Sequence, residues 1–274
     1  MFLGLLAALA ATVCFGLASV FQARGARTPS RTEAEGLRLA VRLVRSWQFI
    51  LGAGLDVVGF ALSVVALRSL PLFVVQAVTN ASLAVTALAA VGLLGIRMRT
   101  RDGAAVTTVV AGLVLLAAGS GREGVTSASP SFRLALVVAP LAALGLTSWA
   151  ARFRGRGVAA ALGVLSGVGF GVTSLAVRVM DISSVAGVLT DGATYALVIG
   201  GLGGYLSYAL AMRRGSVTAA TAAGTLMEIT GPGLVGILFL DDRARPGYGW
   251  LAVTGFVLAT VGTLALSRFA EVRT

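Results

Sequence analysis

Apolar residues in this chain fall in long unbroken runs, not at the alternating spacing of strands. About 20 mostly apolar residues make a helix long enough to cross a bilayer. Nine segments meet that length: 2–22, 47–67, 71–95, 103–119, 132–151, 157–180, 193–212, 216–240 and 247–267. Short connections rich in Arg, Gly or Ser separate them. One connection, 24–46, is longer and repeats apolar residues at Leu37, Val41 and Val44, which predicts a short amphipathic helix on the membrane surface. Trp47, Trp149, Tyr248 and Trp250 fall near the ends of the predicted spans, where amphipathic rings sit in a membrane interface. The pattern predicts an all-α membrane protein with nine transmembrane helices.

Composition agrees. Of 274 residues, 57% are hydrophobic and 12% charged, against roughly 25% charged in soluble domains. A soluble globular fold and a disordered chain are both excluded. The net charge is +11, and all 22 basic residues are arginine. In a soluble protein this excess would suggest nucleic acid. Here the arginines follow the loops, so the expected partner is the lipid bilayer and no nucleic acid. With nine spans, one side collects 16 arginines and the other six: Arg68, Arg122, Arg133, Arg178, Arg243 and Arg245. The positive-inside rule then predicts a multi-pass protein of the cytoplasmic membrane, N-terminus outside and C-terminus cytoplasmic. The first apolar run has no basic residues before it and reads as a retained helix, not a signal peptide.

There is no histidine, and Cys14 is the single cysteine. A Cys-based metal cluster, an imidazole base and a Ser-His-Asp triad are therefore out of reach. Neither enzyme activity nor a metal site nor a cofactor is expected.

The two ends of the chain resemble each other. Ala8, Thr12, Phe15, Gly16 and Ser19 recur 155 positions later as Gly163, Gly167, Phe170, Gly171 and Ser174. At an offset of 145, Phe60 pairs with Tyr205, Arg68 with Arg213, and Gln76, Thr79 and Asn80 with Thr221, Gly224 and Thr225. The expected organisation is a first four-helix repeat (1–120), a linker helix (121–156) and a second four-helix repeat (157–274). An odd linker inverts the second repeat, a recurring plan of secondary transporters with a substrate site at the midplane. Such a fused repeat is compatible with a monomer or a homodimer.

Each half resembles the four-helix unit of the drug/metabolite transporter superfamily. Segment 240–262, LDDRARPGYGWLAVTGFVLATVG, is similar to a loop and helix in which an acid–Arg pair precedes a Gly-bearing helix, with Asp242 and Arg243 as that pair. The first half departs, with Ile96 and Arg97. Within the superfamily the chain looks like EamA-like or NIPA-like proteins. The stretch GAGLDVVGFALSVVAL with Asp56 looks closest to the NIPA-type magnesium transporters. The resemblance implies a transporter, with Mg²⁺ as one substrate. It also implies a glutamate in the first helix of a small multidrug resistance unit. Here Val13 and Val168 stand at about those positions, which places proton-coupled drug export through such a residue in doubt.

Two carboxylates lie deep in predicted spans, Asp56 and Glu228. A charge at the bilayer centre costs about 2.5–3.5 kcal/mol on insertion scales, so each is a candidate site residue. Asp56 shares a face with Gly52, Gly59 and Ser63; Arg68 and Arg178 are candidate partners, and a structural acid is the alternative. Glu228 precedes Pro232 by four residues, so its carbonyl lacks the usual helical donor. Gly231 and Gly233 flank the proline, and a helix break with a hinge at Gly231, Pro232 and Gly233 is expected. The alternative is a kink packed against a neighbour. Gln76, Thr79 and Asn80 share one face of the third span; Thr221 and Thr225 share one face of the eighth. These faces either line a cavity or make interhelical hydrogen bonds.

The expected function is secondary transport of a small solute or cation by alternating access. Asp56, Gln76, Asn80, Thr221, Thr225 and Glu228 would form the binding site. The alternatives are a magnesium transporter, with Asp241 and Asp242 drawing the ion to the outer mouth, and a non-transporting scaffold or sensor.

Overall fold

The computed structural model describes residues 2–26, 46–94, 100–121, 124, 128–214 and 217–271. The amphipathic helix expected within 24–46 lies almost wholly outside them. The described residues form these helices in order: α1 (Phe2–Ala26), α2 (Trp47–Leu67), α3 (Leu72–Asn80), α4 (Ser82–Leu94), α5 (Thr100–Gly119), α6 (Pro130–Ala150), α7 (Arg156–Val179), α8 (Val185–Thr190), α9 (Gly192–Arg214), α10 (Val217–Phe239) and α11 (Gly249–Glu271). Among the described residues there is no strand, only an isolated bridge between Ser120 and Ala244. Among the described residues, nine spans are long and apolar enough to cross a membrane, with α3 and α4 together forming the third. The chain is thus a helical multi-pass membrane protein. Val57, Val114, Leu134, Leu202 and Leu238 point outward and are at least 63% exposed, as a lipid-facing surface requires.

Inside the bundle, α1 packs along α2 and against α3–α4, and α7 packs between α9 and α10. Helices α5 and α11 pair with each other. Lipid tails are as apolar as leucine, so close backbone approach, not hydrophobic burial, drives these contacts. The α5–α11 seam shows how. A β-carbon on Gly112 would lie 2.4 Å from the backbone nitrogen of Ala259, and one on Gly255 would lie 2.4 Å from that of Leu116. The Gly163/Gly167/Gly171 series of α7 is the same device. It packs in turn on Ala220, Gly224 and Pro232 of α10.

Two helix boundaries differ from expectation. The span expected at 71–95 is interrupted at Ala81. Around it, side chains take backbone acceptors: the Thr12 hydroxyl of α1 donates to the Val78 carbonyl at 2.8 Å, and the Asn80 amide donates to the Gln76 carbonyl at 3.0 Å. Polar side chains that bond nearby carbonyls compete with the helical ladder. Conversely, α10 runs unbroken through Pro232, so the break expected at Gly231–Pro232–Gly233 is absent. Packing on both flanks holds this segment. A β-carbon on Gly171 of α7 would lie 2.9 Å from the proline ring, and one on Gly233 would lie 3.1 Å from the Phe73 β-carbon of α3. The glycines serve helix contact here, and Pro232 sits inside a packed helix.

The seam predicts that Gly112→Val lowers stability by about 1–3 kcal/mol through overpacking. Gly54→Ala, at a glycine with no atom within 4 Å of its would-be β-carbon, should leave stability unchanged or slightly raised. Thermal unfolding of the detergent-solubilised variants compares the two.

Candidate functional site

At one end of the bundle, helices α2 and α7 terminate side by side. The last carbonyls of a helix have no intrahelical donor and carry partial negative charge. Here each helix end is capped by an arginine from the other. Arg178, near the end of α7, donates from Nη1 to the carbonyls of Leu67 and Leu70. Arg68, just beyond α2, donates to the carbonyl of Met180, the C-cap of α7.

Arg178 is fully buried, and its Nη2 also reaches Asp242 Oδ1 at 3.0 Å and the Gly124 carbonyl at 3.1 Å. Asp242 is equally buried. It accepts the backbone N–H of Gly124 at 2.7 Å and that of Leu72 at 2.6 Å. A glycine is required at 124, since a β-carbon there would lie 1.7 Å from the Leu240 carbonyl oxygen.

A second clamp lies beside the first. Arg133 at the start of α6 donates to both oxygens of Asp191, at 2.9 and 3.0 Å, and to the Val179 carbonyl at 3.1 Å. Asp191 also accepts the N–H groups of Asp181 and Ala193. Burial pushes the Asp191 carboxyl up. The two backbone donors and the Arg133 guanidinium outweigh it and hold the group below the usual carboxylate range.

Below the first clamp lies a cavity of about 410 Å³ between α1, α2, α3, α4, α7 and α10. Leu67 and Val177 border it, each one residue before a clamp arginine, so the clamp closes that end. Its polar border includes Gln76, Thr79 and Asn80 of α3 and Glu228 of α10. Gln76 is 3% exposed, and its Nε2 has no hydrogen-bond partner among the described residues. Among the described residues the Glu228 carboxylate has no hydrogen bond or ion pair. The α10 backbone at Glu228 lies against Gly167 of α7, where a β-carbon would come within 2.9 Å of the Glu228 nitrogen. Phe15 and Phe170, matched at an offset of 155, both border the cavity, as does Phe60.

Three expected site residues stand elsewhere. Asp56 does not border the cavity; it accepts a hydrogen bond from the Gln22 amide at 2.5 Å, in the contact between α1 and α2. Its expected partners Arg68 and Arg178 are taken by helix ends and by Asp242. Thr221 is 3.2 Å from the Tyr208 hydroxyl and joins α10 to α9. Thr225, one residue beyond the glycine packed on Gly163, also lies outside the border. The expected acid–Arg pair is redistributed. Arg243 pairs with the exposed Asp241, while Asp242 turns inward to Arg178 and is not available at a mouth.

Sequence reasoning does not reach Gln22, Thr173 or Ser174 as site neighbours. An arginine within the apolar run 157–180 was the visible signal for the clamp.

Removing one member of a buried, hydrogen-bonded ion pair leaves an uncompensated charge and costs about 3–5 kcal/mol. Asp242→Asn should lower the thermal midpoint accordingly, while Asp241→Asn at the exposed pair should leave it nearly unchanged. The Asp191 clamp adds a pH dependence. A carboxyl held below its unfolded value contributes stability that is complete above about pH 4 and is lost as pH falls through the folded value. Thermal midpoints measured below pH 5 should therefore fall less steeply for Asp191→Asn than for the parent chain. Compared with models of protein families, with curated proteins and with solved structures, the chain gives no match.

Proposed function

We propose that this chain is a secondary transporter of the drug/metabolite type. It moves a small solute across the cytoplasmic membrane by alternating access, and the cavity at Glu228 is its substrate site. One observation carries this reading: a carboxylate with no partner among the described residues borders a partly polar cavity amid membrane-spanning helices. An ionisable group there is costly and calls for a function.

The helix pairing supports a plan of two inverted four-helix repeats. The first helix of each half packs on the second and third, and the two fourth helices pair. A chain that crosses nine times sets α1 and α7 antiparallel, as inversion requires.

The arginine clamp supports closure at the Arg-poor end. It joins α2 and α3 of one half to α7 and the α10–α11 loop of the other. With the Arg-rich side in the cytoplasm, that end faces outward. Opening it would separate Arg178 from the Leu67 and Leu70 carbonyls. The magnesium alternative has less support: the cavity border carries one carboxylate, and Asp242 is locked to Arg178. Mg²⁺ sites use carboxylates together with retained waters.

Reconstituted vesicles test the reading with labelled amines, amino acids and Mg²⁺. The wild-type chain is expected to catalyse flux of at least one solute. Glu228→Gln should reduce that flux by at least about tenfold, as loss of a charged contact predicts. Asp56→Asn should change it by less than about twofold, an effect near RT. Folded protein with no flux, or Glu228→Gln with unchanged flux, would overturn the proposal.

A further inference from the structure

The cavity wall has a directional hydrogen-bonding character that narrows the class of ligand. Five hydroxyls border it, on Ser63, Thr79, Ser82, Thr173 and Ser174. Each has a single proton, and all but Ser82 direct it to a main-chain carbonyl. Ser63 donates to Phe60 at 2.8 Å, Thr79 to Val75 at 2.8 Å, Thr173 to Gly169 at 3.2 Å and Ser174 to Phe170 at 3.4 Å. A carbonyl cannot donate, so these directions are unambiguous. A hydroxyl with its proton committed can offer a ligand only its lone pairs. Asn80 likewise commits an amide proton to the Gln76 carbonyl. The Glu228 carboxylate, when ionised, accepts only.

The wall therefore offers more acceptors than donors. Its donors are the Ser82 hydroxyl, the second amide proton of Asn80 and Gln76 Nε2, which is buried and has no partner among the described residues. Among the described residues no arginine borders the cavity, although all 22 basic residues of the chain are arginine. Three phenylalanine rings complete the border.

Resting on the reading of this cavity as the substrate site, we infer that its ligand is a protonated primary or secondary amine. The amine carries an apolar body and one hydrogen-bond acceptor. Its ammonium protons meet Glu228 and the hydroxyl lone pairs, its body lies among the phenyl rings, and its acceptor takes the Gln76 amide.

Charge alone does not satisfy this wall. A quaternary ammonium has no N–H to offer and would leave those lone pairs without donors. An anion would face a carboxylate with no counter-charge. Cations are also favoured near aromatic faces. A volume of about 410 Å³ falls in the range of pockets that hold drug-sized molecules, so the amine carries a substantial body.

Isothermal titration of the purified full chain in detergent tests this with four probes: 2-amino-1-phenylethanol, its N,N,N-trimethyl derivative, 3-phenylpropionate and MgCl₂. The amine is expected to bind. The trimethyl derivative, of equal charge, should bind at least about tenfold more weakly, as loss of charge-assisted hydrogen bonds predicts. The anion and Mg²⁺ should not bind. Glu228→Gln should weaken the amine by about ten- to hundredfold. Gln76→Leu should weaken 2-amino-1-phenylethanol but not 2-phenylethylamine, which lacks the hydroxyl acceptor.

Equal binding of the trimethyl derivative, binding of the anion, or no binding of either amine would overturn the inference. If Glu228→Gln does not purify folded, the ranking of amine over trimethyl derivative on the wild-type chain decides. Amine binding without flux in vesicles would keep the ligand and sink the transporter reading. Flux of another solute without amine binding would do the reverse.

Discussion

Arg178 caps the end of α2 while Arg68 caps the end of α7, and this exchange sets the position of two helices on which the cavity depends. The physical demand is simple. Inside a bundle surrounded by lipid, helix-terminal carbonyls find little water, and each unsatisfied group is costly. A guanidinium has five N–H donors in a rigid fork and can serve several carbonyls and a carboxylate at once. Arg178 does so, with Leu67, Leu70, Gly124 and Asp242 as acceptors. Burying the charge is offset because Asp242 is equally buried and receives two backbone N–H groups of its own. The result ties α2, α3, α7 and the loop after α10 into one corner, directly beyond Leu67 and Val177 at the cavity border.

The cavity combines matched and unmatched positions of the two halves. Phe15 and Phe170 match each other and face the same space. The polar groups do not match: Gln76 and Asn80 come from α3, and the carboxylate comes from α10. Thr221 and Thr225, which match Gln76 and Asn80 in the sequence, contribute to helix contacts in place of the border. Here α10 packs on α7 through Gly163, Gly167 and Gly171, Thr221 meets Tyr208 of α9, and Glu228 stands at the open space. A site of this kind can recognise a solute with distinct ends, one for the acid and one for the amide.

Much of the fold was legible because membrane insertion is a local problem. A span needs length and apolarity, and both are read along the chain without knowledge of neighbours. Hence the nine spans follow the runs closely, with Trp47, Trp149 and Trp250 exposed near helix ends. The irregularities were not legible in the same way. Pro232 removes a helical donor wherever it stands, yet α10 continues because Gly171 and Phe73 hold its two flanks. Ala81 carries no helix-breaking signal, yet the third span is interrupted there, where Thr12, from another helix, lies 2.8 Å from the Val78 carbonyl. In each case the local propensity is overridden by a contact distant in sequence.

The sequence by itself determined the helical membrane architecture, the number of spans and the short list of intramembrane polar groups, because apolar length and the cost of buried charge are properties of individual segments. It also paired Phe15 with Phe170 before their shared space was visible. Only the tertiary structure decided which acid faces a cavity. Asp56 and Glu228 look alike as isolated carboxylates in apolar runs, but a donor from α1, Gln22, reaches the first and none among the described residues reaches the second. The same holds for Asp241 and Asp242, adjacent in sequence, one exposed against Arg243 and one buried against Arg178. Whether a polar group is satisfied or left available depends on what other helices bring within about 3 Å of it, and only the packed structure supplies that distance.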